Sequence, residues 1–242
     1  MDGTISGVSV RISRGEDRFS ERVPGRMTRH AFSFGAHYDP ERLSFGPMVC
    51  HDDHLLGAGQ GFDEHPHSAL EILTWVVAGR ISHRDSLGND VVLEAGDCGL
   101  LSAGSGVRHS EHAVDGAARF VQVWLSAEDE ATPRYQLARA ADLGVAPGAG
   151  PVRVAGSGGP LELPSGIAFE VTRLAAHEST PLPATGAGGS PTRVHAFVAS
   201  GALLRSSLAE PLQAGDAFLL EDAPAHEVTA AVPTDLLVWS FA

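Results

Sequence analysis

The chain has 242 residues, 17 of them basic and 30 acidic, giving a formal charge of −13 at pH 7. Every basic residue is arginine, which excludes chemistry that needs an amine at the reacting atom: a phosphate-loop lysine, a pyridoxal or aldolase Schiff base, a kinase lysine. The negative balance argues against direct contact with a nucleic-acid backbone, while a hydrophobic content of 43% is enough for a globular core.

The first thirty residues carry charge throughout and lack the apolar stretch of a secretory signal, so a cytoplasmic protein is expected. The longest apolar run, at 72–78, falls far short of the ~20 residues of a membrane span, and no membrane association is expected. Cys50 and Cys98 are too few and too far apart for a disulfide framework or a thiolate metal cluster, and both read as reduced structural residues.

Short apolar runs of strand length then recur along the chain, at 71–78, 91–93, 119–125, 168–174, 194–199 and 236–241. Scattered among them are 28 glycines and 15 prolines, the composition of frequent turns. Helical spacing is clearest at 135–143 (YQLARAADL), and it is short. The expected class is all-β, a sandwich or barrel.

An internal repeat organises these runs. Leu93-Glu-Ala-Gly-Asp97 recurs 119 residues later as Leu212-Gln-Ala-Gly-Asp216, and a strand ending at Gly79 recurs 122 residues later ending at Gly201. A histidine follows each copy, His109 and His226. Two copies of one β module are therefore expected, one spanning 1–130 and the other 140–242, joined in the charged, proline-rich and glycine-rich stretch between Ser126 and Pro151.

The chemistry concentrates in the first copy. Residues two apart on a strand share a face, so His65 and His67 can project together, as can His109 and Glu111. With 12 histidines in the chain, neither pair alone carries weight; both in one glycine-framed module do. Shifting by 122 puts Ala187, Gly189 and Arg193 where His65, His67 and Glu71 stand, so the second copy keeps the frame without the histidines and is expected to bind no metal, through His195 and His226 included. Three imidazoles and a carboxylate suit a divalent first-row metal and leave two adjacent positions open in an octahedral ion.

The segments 30–40 (HAFSFGAHYDP), 57–62 (GAGQGF), His65-Pro-His67, 71–75 (EILTW), 83–89 (HRDSLGN), 102–111 (SAGSGVRHSE) and 132–135 (TPRY) together resemble the pirin family of bicupins, and within it the bacterial pirin-like quercetin 2,3-dioxygenase branch. The resemblance implies two cupin jelly-roll β-barrels, the N-terminal one metal-binding and the C-terminal one degenerate. It places the metal ligands on His65, His67, His109 and Glu111, with Glu111 also the catalytic residue, for one divalent transition metal: Fe(II) first, with Ni, Cu, Mn, Co or Zn as substitutes. Glu71 then becomes a supporting or structural group. His112, where relatives often carry a larger apolar residue, would shape access to the metal. His54 reads as a solvated or hydrogen-bonded histidine, His83-Arg-Asp85 as a hairpin turn, and 57–61 as no nucleotide loop.

The resemblance implies a dioxygenase that cleaves a flavonol such as quercetin with O2, the substrate chelating at the open positions. The competing reading is a metal-bearing regulatory protein acting through a protein partner without turnover; a cupin isomerase or sugar binder is the weaker third. An apolar pocket beside the metal would favour the enzyme, and a closed pocket beside a large exposed patch would favour the partner. A monomer is expected.

Overall fold

The computed structural model of the chain describes residues 9–128, 130–186 and 191–242. They form two antiparallel β units: Arg18–Leu143 is one, and Gly144–Ala242 together with the residues up to Asp17 is the other. In chain order the strands are β1 (Ser9–Ser13), β2 (Phe19–Val23), β3 (Arg26–His30), β4 (Met48–Leu56), β5 (Gly61–His67), β6 (Leu70–Ala78), β7 (Arg80–Asp85), β8 (Asp90–Glu94), β9 (Cys98–Ser102), β10 (Val107–Ala113), β11 (Ala118–Ser126) and β12 (Arg134–Ala138). The expected runs at 71–78, 91–93 and 119–125 fall in β6, β8 and β11; those at 168–174, 194–199 and 236–241 fall in strands Ile167–Leu174, Arg193–Ser200 and Thr234–Phe241.

In the Arg18–Leu143 unit, a sheet ordered β12-β9-β6-β11-β4-β3-β2 packs against one ordered β5-β10-β7-β8. These are the facing open sheets of a jelly roll, and the all-β class holds. Period-two alternation sorts each strand. On β10, Val107, His109, Glu111 and Ala113 are buried, whereas Arg108 is exposed and Ser110 and His112 are half-buried. One apolar cluster joins Leu56, Val76, Ile81, Leu93, Ala113, Ala118 and Phe120, and another joins Ile72, Leu101, Ala103 and Val107. Between them the same strands carry polar side chains: Thr74 between Ile72 and Val76, Gln122 two residues on from Phe120, and His109 with Glu111 between Val107 and Ala113. A polar band thus crosses the core with apolar packing on both sides. That packing is strong; burying a side chain such as Phe120 is worth about 1.5–3 kcal/mol.

The other unit has a six-stranded sheet whose inward face is apolar, with Val194, Ala196, Val198, Phe218, Leu220, Leu236 and Val238 in one cluster. Ala187 and Gly189, expected to replace the histidines there, lie outside the described residues. The repeated aspartates behave alike. Asp97 accepts from Arg139 Nη1 at 2.7 Å and Ala140 N at 2.8 Å, and Asp216 from Arg14 Nη1 at 2.9 Å and Gly15 N at 2.8 Å. Each aspartate also caps its own turn, through Glu94 N at 3.0 Å and Gln213 N at 3.1 Å.

These bonds explain two departures from the expected spans of 1–130 and 140–242. Strand β1 pairs with Ala217–Glu221 and so belongs with the C-terminal half. Strand β12 pairs with β9 and stays with the first unit. The helical reading of 135–143 is overturned for the same reason: pairing with β9 draws residues 134–138 into a strand, leaving Ala140–Leu143 as one helical turn capped by Asp97. The hairpin turn expected at His83–Asp85 is also displaced. Those residues end β7, and the Asp85 carboxylate accepts from Leu87 N and Asn89 N, each at 3.0 Å, to shape the turn beyond them. Cys50 and Cys98 are free and buried, and burial pushes both thiols well above their ordinary pKa. Among the described residues no helix is long and apolar enough to cross a membrane.

Candidate metal centre

Antiparallel pairing of β5 and β10 sets His109 opposite His65 and Val107 opposite His67. The register then shifts, so that Glu111 stands opposite Phe62, and this bulge re-aims the end of β5. The two strands approach closely there: a Cβ on Gly61 would lie 2.0 Å from the Glu111 carbonyl oxygen, so only glycine fits.

His65, His67 and His109 come together as expected, with ring centroids 4.6 to 5.0 Å apart and one donor atom from each within 4.8 Å of the others. His65 Nδ1 donates to the Asp63 carbonyl oxygen at 2.7 Å, which fixes its tautomer and leaves Nε2 to bind. His67 Nε2 and both ring nitrogens of His109 are buried without a hydrogen-bond partner. Each such atom costs about 1–3 kcal/mol, and a divalent cation that accepts the lone pair of His67 Nε2 and of one His109 nitrogen removes that cost at both. Burial, reinforced at His67 by His109 and His65, pushes the pKa of His67 and of His109 down to about 4. The rings are therefore neutral near pH 7 and ready to ligate. These residues fit a first-row transition metal.

Glu111 is 2% exposed and joins a second triad with His109 and His83, again within 4.8 Å. The four expected ligands thus lie in two triads that share His109. Burial alone would raise the Glu111 carboxyl, but the His109 and His83 rings and the Gln122 donor outweigh it and hold its pKa below the ordinary value. Thr74 Oγ1 donates to Glu111 Oε1 at 3.2 Å and Gln122 Nε2 to Oε2 at 2.7 Å. His83 sits 2% exposed between Asp85, whose Oδ2 is 3.1 Å from Nε2, and the Tyr135 ring stacked at 4.1 Å. His83, expected only in a hairpin turn, and Thr74 and Gln122, not singled out in the sequence, thus stand beside the expected ligands. The available signal was a polar residue at an inward position of a buried strand.

Glu71 is out of phase with Ile72 and Thr74 and bonds to Ser102 Oγ at 2.6 Å, a structural role away from the triads. His112 is half-buried on β10, one residue out of phase with Glu111, and its Nε2 lies 3.4 Å from Oδ1 of Asp63, which lines the cavity described next. His54 is buried, bonds to Thr28 Oγ1 at 2.9 Å, and lines the same cavity.

That cavity, about 340 Å³, is walled by Phe34, Phe62 and Trp124 and reached by His65, Glu111 and Gln122. Its size and mixed lining suit a small planar ligand.

The sequence profile of the Pirin family matches residues 13–125. A Mycobacterium bovis relative, named as a candidate quercetin 2,3-dioxygenase, is 34% identical over 96% of this chain and 94% of its own. The quercetin 2,3-dioxygenase of Escherichia coli K12 is 42% identical over 46% of this chain and 49% of its own. Among solved structures, the bacterial pirin YhhW of Escherichia coli in complex with nickel(II) superposes with a TM-score of 0.85 at 26% identity, covering 96% of this chain and 99% of that one.

Proposed function

The chain belongs to the pirin family, and from that premise we propose that it is a metal-dependent dioxygenase cleaving a flavonol such as quercetin with O2. The observation that carries this reading is the histidine triad with unpartnered buried nitrogens beside an aromatic-walled cavity. A closed site beside a broad apolar patch would have favoured the regulatory role. The names of the mycobacterial and Escherichia coli relatives point the same way.

In this reading His65, His67, His109 and Glu111 hold one divalent metal, Fe(II) in the first instance; the nickel complex of the related pirin makes Ni(II) the next choice. When bound, such an ion would act as a Lewis acid that lowers the pKa of a substrate hydroxyl. Phe34, Phe62 and Trp124 take the flat rings between them and exclude water. Glu111 accepts the substrate hydroxyl proton. Thr74 donates to one of its oxygens and Gln122 to the other, and a carboxylate oxygen can accept more than one hydrogen bond, so acceptor capacity remains. Gln122 and Thr74 hold the carboxylate in place as it changes charge.

The test is oxygen uptake by untagged, metal-replete protein with a flavonol panel, with the depside and carbon monoxide identified as products. Uptake no faster than with free metal across the panel would replace this reading with the regulatory one.

A further inference from the structure

The cavity has a second polar end that the chemistry at the triads leaves unused. His30, on β3, is 3% exposed, and its Nδ1 donates to Asp52 Oδ2 at 2.8 Å; Asp52, on β4, is 4% exposed. A carboxylate can only accept, so in the neutral ring this bond fixes the proton on Nδ1 and leaves Nε2 as a bare acceptor. That nitrogen is buried without a hydrogen-bond partner, and Glu21 Oε2 lies 3.8 Å away, beyond hydrogen-bond reach.

His30, Asp52 and Glu21 line the same cavity as His65 and Glu111. One row of rings joins the two ends. His30 stacks on Phe34 at 5.1 Å, Phe34 meets Trp124 edge-on at 5.5 Å, and Trp124 packs on His67 at 4.8 Å. Among the described residues the one arginine on this wall, Arg26, is engaged with the Gly61 carbonyl oxygen at 3.0 Å and Glu21 at 3.2 Å, and lies over the Phe62 ring. The groups left at this end are acceptors, so an occupant must bring a donor.

We propose that this end of the cavity is a subsite for a hydroxyl-bearing aromatic ring, in which His30 Nε2 accepts a hydrogen bond from a ring hydroxyl and Asp52 holds the imidazole in the accepting tautomer. The subsite rests on the flavonol reading for the class of molecule it takes. The hydroxyl it selects lies on the ring remote from the chelating oxygens. His30 is a specificity-determining residue and Asp52 a positioning residue. Polyphenols with a hydroxylated second ring are therefore favoured over those with a bare one, because a bare ring leaves a buried acceptor unpaired.

Metal-loaded protein under anaerobic conditions, titrated with quercetin, kaempferol and galangin, separates binding from turnover. These flavonols carry two, one and no hydroxyls on the second ring, and Trp124 in the cavity wall reports occupancy through fluorescence quenching. Wild type should bind galangin roughly tenfold or more weakly than quercetin. His30→Phe keeps the ring packing against Phe34 and should erase the difference by weakening quercetin alone. Asp52→Asn, which releases the tautomer, should shrink it, and serves as the second variant if His30→Phe does not fold. Equal wild-type affinity for all three, or an unchanged preference in a folded variant, overturns the subsite. Selective binding without product in oxygen sinks the dioxygenase reading and leaves the subsite standing. Turnover without selectivity does the reverse, and no flavonol binding overturns both.

Discussion

Gln122 donates from Nε2 to Glu111 Oε2 at 2.7 Å while its own Oε1 accepts the Trp124 indole N–H at 2.9 Å. Two partners of opposite kind fix the amide's orientation, and Trp124 in turn packs on His67. The carboxylate and one imidazole of the site are thus tied together through a single strand face. Gln122→Leu should lower oxygen uptake about 10- to 100-fold at matched metal loading, because Glu111 Oε2 loses its donor and Trp124, which packs on His67, loses its acceptor. Turnover at matched metal loading is the measurement, and undiminished uptake would deny Gln122 its role.

The two triads make different demands on metal content. His67→Ala should lose nearly all metal and His83→Ala much less, because His83 is already engaged by Asp85 and Tyr135. Elemental analysis of untagged protein decides it. Full retention in His67→Ala would remove the assignment, and equal loss in both variants would make His83 a ligand.

Glu111→Gln should keep part of the metal through the histidines while losing turnover, because an amide cannot take the substrate proton at neutral pH. The comparison is oxygen uptake for wild type and Glu111→Gln at equal metal loading; similar rates would reassign the base.

Metal-free protein should lose stability as pH falls from about 6.5 to about 4. The folded pKa of His67 and of His109 is pushed down to about 4 by burial, whereas the unfolded value is 6.5. Between these limits the unfolded chain binds protons that the folded one refuses, so the contribution present above 6.5 is lost as pH drops. His54, lowered by burial, acts in the same direction. Urea midpoints across this range should fall, and the slope should lessen in His109→Gln; a rising midpoint would contradict the neutral-imidazole site.

The ligand pairs were legible because alternation on a strand is a property of sequence: two residues apart means one face, whatever the partner strand. His83 was not, because its place beside the site follows from the pairing of Glu111 with His83 across β10 and β7, a register that no local pattern specifies. Gln122 and Thr74 stood in plain view as polar residues inside RFVQVWL and EILTWVVA, but which of two faces each run buries is settled only by packing. Glu71 and His112 show the same rule from the other side, being one residue out of phase with the site. The Tyr135–Leu143 segment misled because edge pairing to β9 overrides helical spacing.

Strand β1 is translated about 200 residues ahead of its partner, Ala217–Glu221. At ribosomal speeds of about 5–20 residues per second, β1 waits on the order of ten seconds or more with an unpaired edge while the whole Arg18–Leu143 unit emerges and can fold. The six-stranded sheet cannot be completed until Ala217–Glu221 has emerged, so its assembly follows that of the Arg18–Leu143 unit, and β1 is an open edge in the interval.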